Sequence, residues 1–390
     1  MRIAIAVMVL AGSAAAEPCK EPLACEKACS GHDTRACTVA AEALFDGSHG
    51  APFDPKRSFP LAKTACDAGD AFGCSLLAYH YQDGSGVAWS PQLAVAAYDK
   101  ACRDGSGVGC YNLAGMYGGG HGIDVDNAKY TSYTKLARTA WQAACDHGET
   151  RWCTNLGFLI ETDGDHATAR KLYAKACAAA VSIGCVESTR VNFEQGGMSA
   201  AAFMQEIDRM CSGGEPIACS VEASYLAIGD KGVTKDAKRS LEVSKRGCAM
   251  GDSHSCYVAG LALIANDGIP VDYAGAERYL TDACDRRVAK ACLLLAQKEI
   301  RAPDKSKGIA FARRACETNE AEGCEIVATA TTSEAEIVKW AREGCRRGLY
   351  TACMPLVDRD LAIPAPANVK PGLYKQACTE GHKPACKHAN

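Results

Sequence analysis

Apolar residues recur along this chain with a helical period. Counting back from Cys102, Cys145, Cys177 and Cys284, positions −8, −5, −4 and −1 form four sets. They read Ala94, Ala97, Tyr98, Ala101; Ala137, Ala140, Trp141, Ala144; Ala169, Leu172, Tyr173, Ala176; and Ala276, Tyr279, Leu280, Ala283. This is the i, i+3, i+4, i+7 stripe of an amphipathic helix. Counting forward from Cys74 and Cys110 gives a second stripe, Leu77, Ala78, Tyr81 and Leu113, Ala114, Tyr117. The pattern predicts one helix ending at a first cysteine and another beginning at a second. Three places after the first cysteine stand Gly69, Gly105, Gly148, Gly214, Gly251, Gly348 and Gly381, with Asn319 in the same place once more. Glycine and asparagine tolerate the positive φ with which helices commonly end.

The unit repeats. Eleven cysteine pairs share the spacing C-x7-C. They are Cys29 and Cys37, Cys66 and Cys74, Cys102 and Cys110, Cys145 and Cys153, Cys177 and Cys185, Cys211 and Cys219, Cys248 and Cys256, Cys284 and Cys292, Cys316 and Cys324, Cys345 and Cys353, and Cys378 and Cys386. The pitch runs from 29 to 43 residues with a mean near 35. Such a period indicates an array of helix pairs. The expected fold is all-α, an α/α solenoid superhelix of about ten to eleven helix-turn-helix repeats. Eight residues of continuous helix rise about 12 Å, whereas a disulfide needs Cα atoms roughly 4.4–6.8 Å apart. The chain must therefore reverse between the two cysteines, so that one disulfide staples each repeat, worth about 2.5 kcal/mol in the chain-entropy view. Cys19 and Cys25 fall outside the pattern. Their pairing with each other is favoured, although spacing does not fix it. Zinc is not expected, because no C-x2-C pair exists.

Composition then adds the compartment. The chain has 390 residues, 24 cysteines, 48% apolar residues and a net charge of −3. That balance carries neither a nucleic-acid footprint nor an anchor for an anionic membrane. Arg2, the apolar run from Ile3 to Ala11 and Ala14-Ala15-Ala16 read as a secretory signal peptide over residues 1–16, cut between Ala16 and Glu17 or close by. The run is too short to span a bilayer. Residues 17–390 are then a single solenoid, secreted or periplasmic, with its cysteines oxidised. The span from Cys110 to Cys145 is longer than usual, and Gly118-Gly119-Gly120-His121-Gly122 suggests a glycine-rich insertion near 118–131.

The clearest unit runs Leu77-Ala-Tyr-His-Tyr81-Gln-Asp-Gly84-Ser-Gly86-Val87, then Ser90-Pro91, Ala94, Ala97-Tyr98, Ala101-Cys102 and Gly105. Gly229-Asp-Lys-Gly232-Val233 and Asp267-Gly268-Ile269 echo it. Residues 185–211, 292–316 and 324–345 lack the Gly-rich loop, so shorter inner turns are expected there. The array resembles the Sel-one-like repeat (SLR) family, relatives of the tetratricopeptide repeat. With its C-x7-C staples it is similar to the secreted Helicobacter cysteine-rich proteins. The resemblance implies a scaffold that binds a protein or peptide on a concave surface. It also implies an alternative, a β-lactam-binding protein or weak β-lactamase.

Chemistry-bearing candidates are few. Ser132-Tyr-Thr-Lys135 matches the Ser-x-x-Lys of serine β-lactamases, in which the lysine activates the serine. The S-D-N and K-T-G elements are missing, and Lys63-Thr64-Ala65 is only an echo. Ser132 and Lys135 thus stand as the catalytic candidates, with two solvated polar residues as the plainer reading. Asp124-Val-Asp126-Asn127 and Asp163-Gly-Asp165-His166 resemble calcium-loop fragments but do not continue as one. No cofactor or metal is expected. Tyr79 lies off the apolar stripe and could line a groove or face solvent. The last unit, with Lys375, His382, Lys383, Lys387 and His388, reads as an uncapped basic end. The expected molecule is a monomer with an unknown protein or peptide ligand, no nucleic acid and no membrane insertion.

Overall fold

A computed structural model describes residues 22–30, 33–47, 51–347, 349–359, 361 and 379. Among them are twenty α-helices and no strand. They form ten antiparallel hairpins: α1–α2 (Pro22–Ser30, Thr34–Asp46), α3–α4 (Pro55–Asp67, Ala71–Asp83), α5–α6 (Pro91–Arg103, Gly107–Gly119), α7–α8 (Asn127–Asp146, Arg151–Thr162), α9–α10 (His166–Ala178, Ser182–Glu194), α11–α12 (Ala200–Ser212, Pro216–Ile228), α13–α14 (Ala237–Ala249, Ser253–Ile264), α15–α16 (Tyr273–Asp285, Ala289–Glu299), α17–α18 (Ser306–Glu317, Ala321–Ala330) and α19–α20 (Glu334–Arg346, Tyr350–Val357).

One disulfide staples each of these hairpins. The first five join Cys29 to Cys37, Cys66 to Cys74, Cys102 to Cys110, Cys145 to Cys153 and Cys177 to Cys185. The next five join Cys211 to Cys219, Cys248 to Cys256, Cys284 to Cys292, Cys316 to Cys324 and Cys345 to Cys353. Cα atoms of a pair lie 4.3–4.9 Å apart. Cys25 is also disulfide-bonded. Cys19, the expected bridge between Cys378 and Cys386, the leader and the basic residues near the end lie outside the described residues.

Each reversal is tight. Between α3 and α4 only Ala68, Gly69 and Asp70 intervene, with Gly69 at φ +89°. Asp70 caps α4 by accepting the Gly73 N–H at 2.5 Å. The second cysteine sits one turn inside its helix rather than at its start, as Cys74 does in α4. In α4 the residue just before it has to be small, because a Cβ at Gly73 would stand 2.5 Å from the Ala65 Cβ. The apolar stripes are buried, with Ala94, Tyr98, Ala101, Ala169, Tyr173 and Ala176 closed to solvent.

The even-numbered helices pack on one another along the array, α2 on α4, α4 on α6, α10 on α12, α12 on α14 and α16 on α18. They crowd together as one continuous wall, termed inner, and the odd helices make up the other, termed outer. The long span before Cys145 is not a glycine insertion. The loops 84–90 and 120–126 have the same length, whereas α7 has 20 residues against 13 in α5. The surplus is two helical turns, a whole number, so the apolar stripe stays in phase. These turns are seated by Tyr133, whose hydroxyl donates to Asp99 at 3.2 Å and whose ring stacks on Tyr117. Where the Gly-rich loop is missing the connections are indeed short, such as residues 331–333 between α18 and α19.

A cation from the next repeat caps the C-terminal end of several outer helices. Lys175 Nζ donates to the Cys145 carbonyl at 2.8 Å, and Arg314 Nη2 to the Cys284 carbonyl at 2.7 Å. Arg347 Nη1 does the same for Cys316. The last carbonyls of a helix have no partner within it and carry its negative pole, so a cation there both pairs and neutralises them. Arg314 also holds Asp285 at 2.8 Å. Replacing Arg314 with alanine is expected to cost about 1 kcal/mol. Urea unfolding would show this as a lower midpoint at unchanged slope, partly restored by Arg314→Lys.

The superhelix comes round upon itself. Arg287 meets Asp83, 204 positions earlier, and Glu343 meets Gly122, 221 positions earlier. At a pitch near 35 residues this is roughly six repeats per superhelical turn. The last hairpins therefore rest on the first, with α17 packed against α4.

Candidate functional site

Two regions gather side chains with potential for recognition, the inner wall of the first turn and the seam where the turns meet. On the inner wall, α4, α6 and α8 present Phe72, Tyr111 and Trp152, each half-buried. The Phe72 and Trp152 rings lie 6.4 Å apart although a whole repeat separates their helices. The Arg151 guanidinium sits 4.9 Å from the Trp152 ring. Tyr79 belongs to this wall and is half-buried among other rings. Its ring meets Phe45 at 5.7 Å and Tyr98 at 5.8 Å, and its hydroxyl donates to Asn112 Oδ1 at 3.3 Å. Burial pushes the Tyr79 phenol well above its ordinary range.

The seam is polar and aromatic. Arg287 Nη1 donates to Asp83 Oδ2 at 3.0 Å while its guanidinium lies 3.7 Å from the Phe45 ring centre. Glu343 accepts the Gly122 N–H and Arg347 Nη2, both at 2.7 Å. Arg346 reaches Asp124 at 3.3 Å. The Trp89 and Trp340 indoles meet at 5.7 Å, with the Lys339 ammonium 4.3 Å above Trp340. His121 lies in the loop docked here, and burial, with Arg347 nearby, drives its pKa down to about 3. Glu317 faces Gly84 across the seam, and burial drives its carboxyl up to about 7 against the pull of Lys339, Arg313 and Arg314. Gly120 and Gly122 of the glycine run thus serve close approach between turns. A Cβ at Gly120 would stand 3.1 Å from the Arg346 carbonyl.

Ser132 and Lys135 are not part of either region. Both lie exposed on α7, and neither side chain makes a hydrogen bond or ion pair among the described residues. Lys63 is paired with Asp67. Ser132→Ala is therefore expected to leave any nitrocefin turnover unchanged, and a loss above about tenfold would restore the serine as a nucleophile. The acidic fragments act as turns and caps. Asp126 accepts the Lys129 N–H at 2.9 Å, Asp165 accepts the Thr168 N–H at 3.0 Å, and Asp163 pairs with Arg138. Cys248, Cys256 and Asp282 come together, but both sulfurs are engaged in one disulfide, so the group is a carboxylate against a staple rather than a metal site. A cleft of about 310 Å³ between α9, α10 and α11 is lined by Arg170, Lys171, Ser188, Thr189 and Asn192.

Arg287, Asp83, Glu343, Trp89 and Trp340 escape any local reading, because each acts on a residue more than 200 positions away. One signal was present. Arg287 occupies the turn position that Gly69, Gly105, Gly148, Gly214 and Gly251 fill elsewhere, at φ +68°.

No family profile and no curated protein sequence matches this chain. Among solved structures, a protective antigen of uropathogenic Escherichia coli strains displaying an SLR fold superposes with a TM-score of 0.41. The two chains are 20% identical, and the match covers 87% of this chain and 74% of that one. A Sel1 repeat protein from Oxalobacter formigenes gives a TM-score of 0.37 at 18% identity, over 63% of this chain and 96% of that one. No helix among the described residues is long and apolar enough to cross a membrane.

Proposed function

We propose that this disulfide-stapled helical repeat protein is an exported scaffold that binds a protein or peptide on its inner wall. The observation that carries the reading is the row Phe72, Tyr111 and Trp152, one half-buried aromatic on each of three successive inner helices. Rigid aromatic rings at the repeat spacing offer large contact area at little entropic cost. Helical arrays use such a wall for extended partners. Ten staples support a location where thiols are oxidised. Export through a leader ending near Ala16 accords with that and predicts a mature chain beginning at Glu17.

The test is crosslinking capture from the exported protein fraction, comparing the wild type with Trp152→Ala. One reproducible partner, reduced about tenfold by the substitution, is the expected result. Reproducible absence of any partner, or a partner indifferent to the inner wall, would overturn the reading.

A further inference from the structure

We propose that the seam contains an arginine socket, filled in this structure by the protein's own Arg287, and that an arginine side chain of a peptide partner takes Arg287's place. The inference rests on the scaffold reading and names the chemistry of its partner.

The socket is built for a guanidinium. Its wall is the face of Phe45, which is 1% exposed, and its anion is Asp83, whose side chain is 11% exposed. A planar cation between a ring and a carboxylate uses both its π face and its N–H edge, which an ammonium cannot. Gln82 beside Asp83 is held by the Tyr98 hydroxyl at 2.9 Å, so the socket is fixed from behind. It is continuous with the inner wall through Tyr79, which packs on Phe45.

Arg287 is an imperfect occupant. Its backbone sits at φ +68° in a turn position where five other hairpins use glycine. The same turn position carries a positive φ at Ala180 (+61°) and Asn319 (+83°), so this φ fixes where the Arg287 side chain starts and remains when that side chain leaves. Only Nη1 reaches Asp83, and Nε is buried with no hydrogen-bond partner. An arginine arriving on a separate chain is not tied to that starting point and can present its N–H edge to both carboxylate oxygens. The resident arginine is thus an autoinhibitory contact. It keeps the coil closed and the socket occupied until a better-placed guanidinium displaces it.

The direct test uses Arg287→Gly, which supplies the residue that the turn prefers and empties the socket. Binding of N-acetyl-Gly-Arg-Gly amide is measured by calorimetry against the lysine analogue. The expected result is binding to Arg287→Gly at least about tenfold tighter than to wild type, with a similar preference over lysine. Adding Asp83→Asn should abolish it. Equal binding to both proteins, no binding to either, or no preference for arginine would overturn the socket. If Arg287→Gly does not fold, wild type carries the test. Millimolar arginine peptide, but not lysine peptide, must then speed amide exchange in residues 84–90, and unchanged exchange would overturn the proposal. Failure here, with a partner still captured through Trp152, removes the socket and leaves the scaffold reading standing.

Discussion

Replacing Glu343 with alanine will cost about 3–5 kcal/mol, the largest loss expected from any single side chain of the seam. Glu343 is 2% exposed and holds two groups from different parts of the chain. It accepts the Gly122 N–H of the docked loop and pairs with Arg347, whose side chain is only 4% exposed. Removing the carboxylate strands that guanidinium in a site where burial already pulls its pKa down. A charge buried without its partner destabilises far more than an exposed pair that is simply lost. Glu343→Gln keeps an acceptor for Gly122 but not the charge, so it should recover only part of the loss. Because repeats couple mainly to neighbours, the damage should be local. Hydrogen exchange resolved by segment should show α19 and residues 119–126 opening while α9 to α12 stay protected. A cost below about 1 kcal/mol would mean that the two turns do not hold each other.

Acidification from about pH 7 to pH 4 will weaken the fold by several kcal/mol, with the buried histidines as the main cause. His80 is fully buried, with Nδ1 2.6 Å from the Ser85 carbonyl and Nε2 2.9 Å from Ser58 Oγ. Desolvation lowers its pKa to about 4. The unfolded chain takes up the proton near pH 6.5 and the folded chain resists it, so stability falls with pH through that window. The depression corresponds to about 3 kcal/mol for His80. His121 and His254 are displaced the same way by burial. The smaller share is expected from His121, which is partly open to solvent. Glu317 acts in the opposite sense. Its folded pKa of about 7 lies above the ordinary value of 4.5, so its contribution is present in acid and is lost as pH rises between those values. Glu317→Gln should therefore deepen the acid loss, while His121→Gln should reduce it. Urea midpoints at several pH values decide the matter, and midpoints flat down to pH 5 would refute the histidine account.

Much of this architecture was legible in the residues. The stripe before Cys102 and the glycine at 105 define helix and turn through contacts within a few positions, and the C-x7-C spacing admits only a reversal. The seam was not legible. Whether Asp83 faces Arg287 depends on the small rotation between successive hairpins, summed over about six of them, and no local pattern encodes that sum. The extra turns of α7 pass for a loop in the sequence because glycines stand beside them, although loop 120–126 has ordinary length. Arg287 was visible as an exception to the glycine rule. Ala180 and Asn319 break the same rule without a distant partner among the described residues, so the exception marks Arg287 only together with its charge.

The order of the staples has a consequence for how the molecule can be made. Every one of the ten joins cysteines that are consecutive in the chain, eight positions apart. A polypeptide emerging N-terminus first can close each bridge as soon as its second sulfur appears, before the next pair arrives. None of these ten has to wait for a distant partner, and none has to be broken and remade. Oxidation can keep pace with emergence, one hairpin at a time, leaving only the non-covalent closure of the coil for the completed chain.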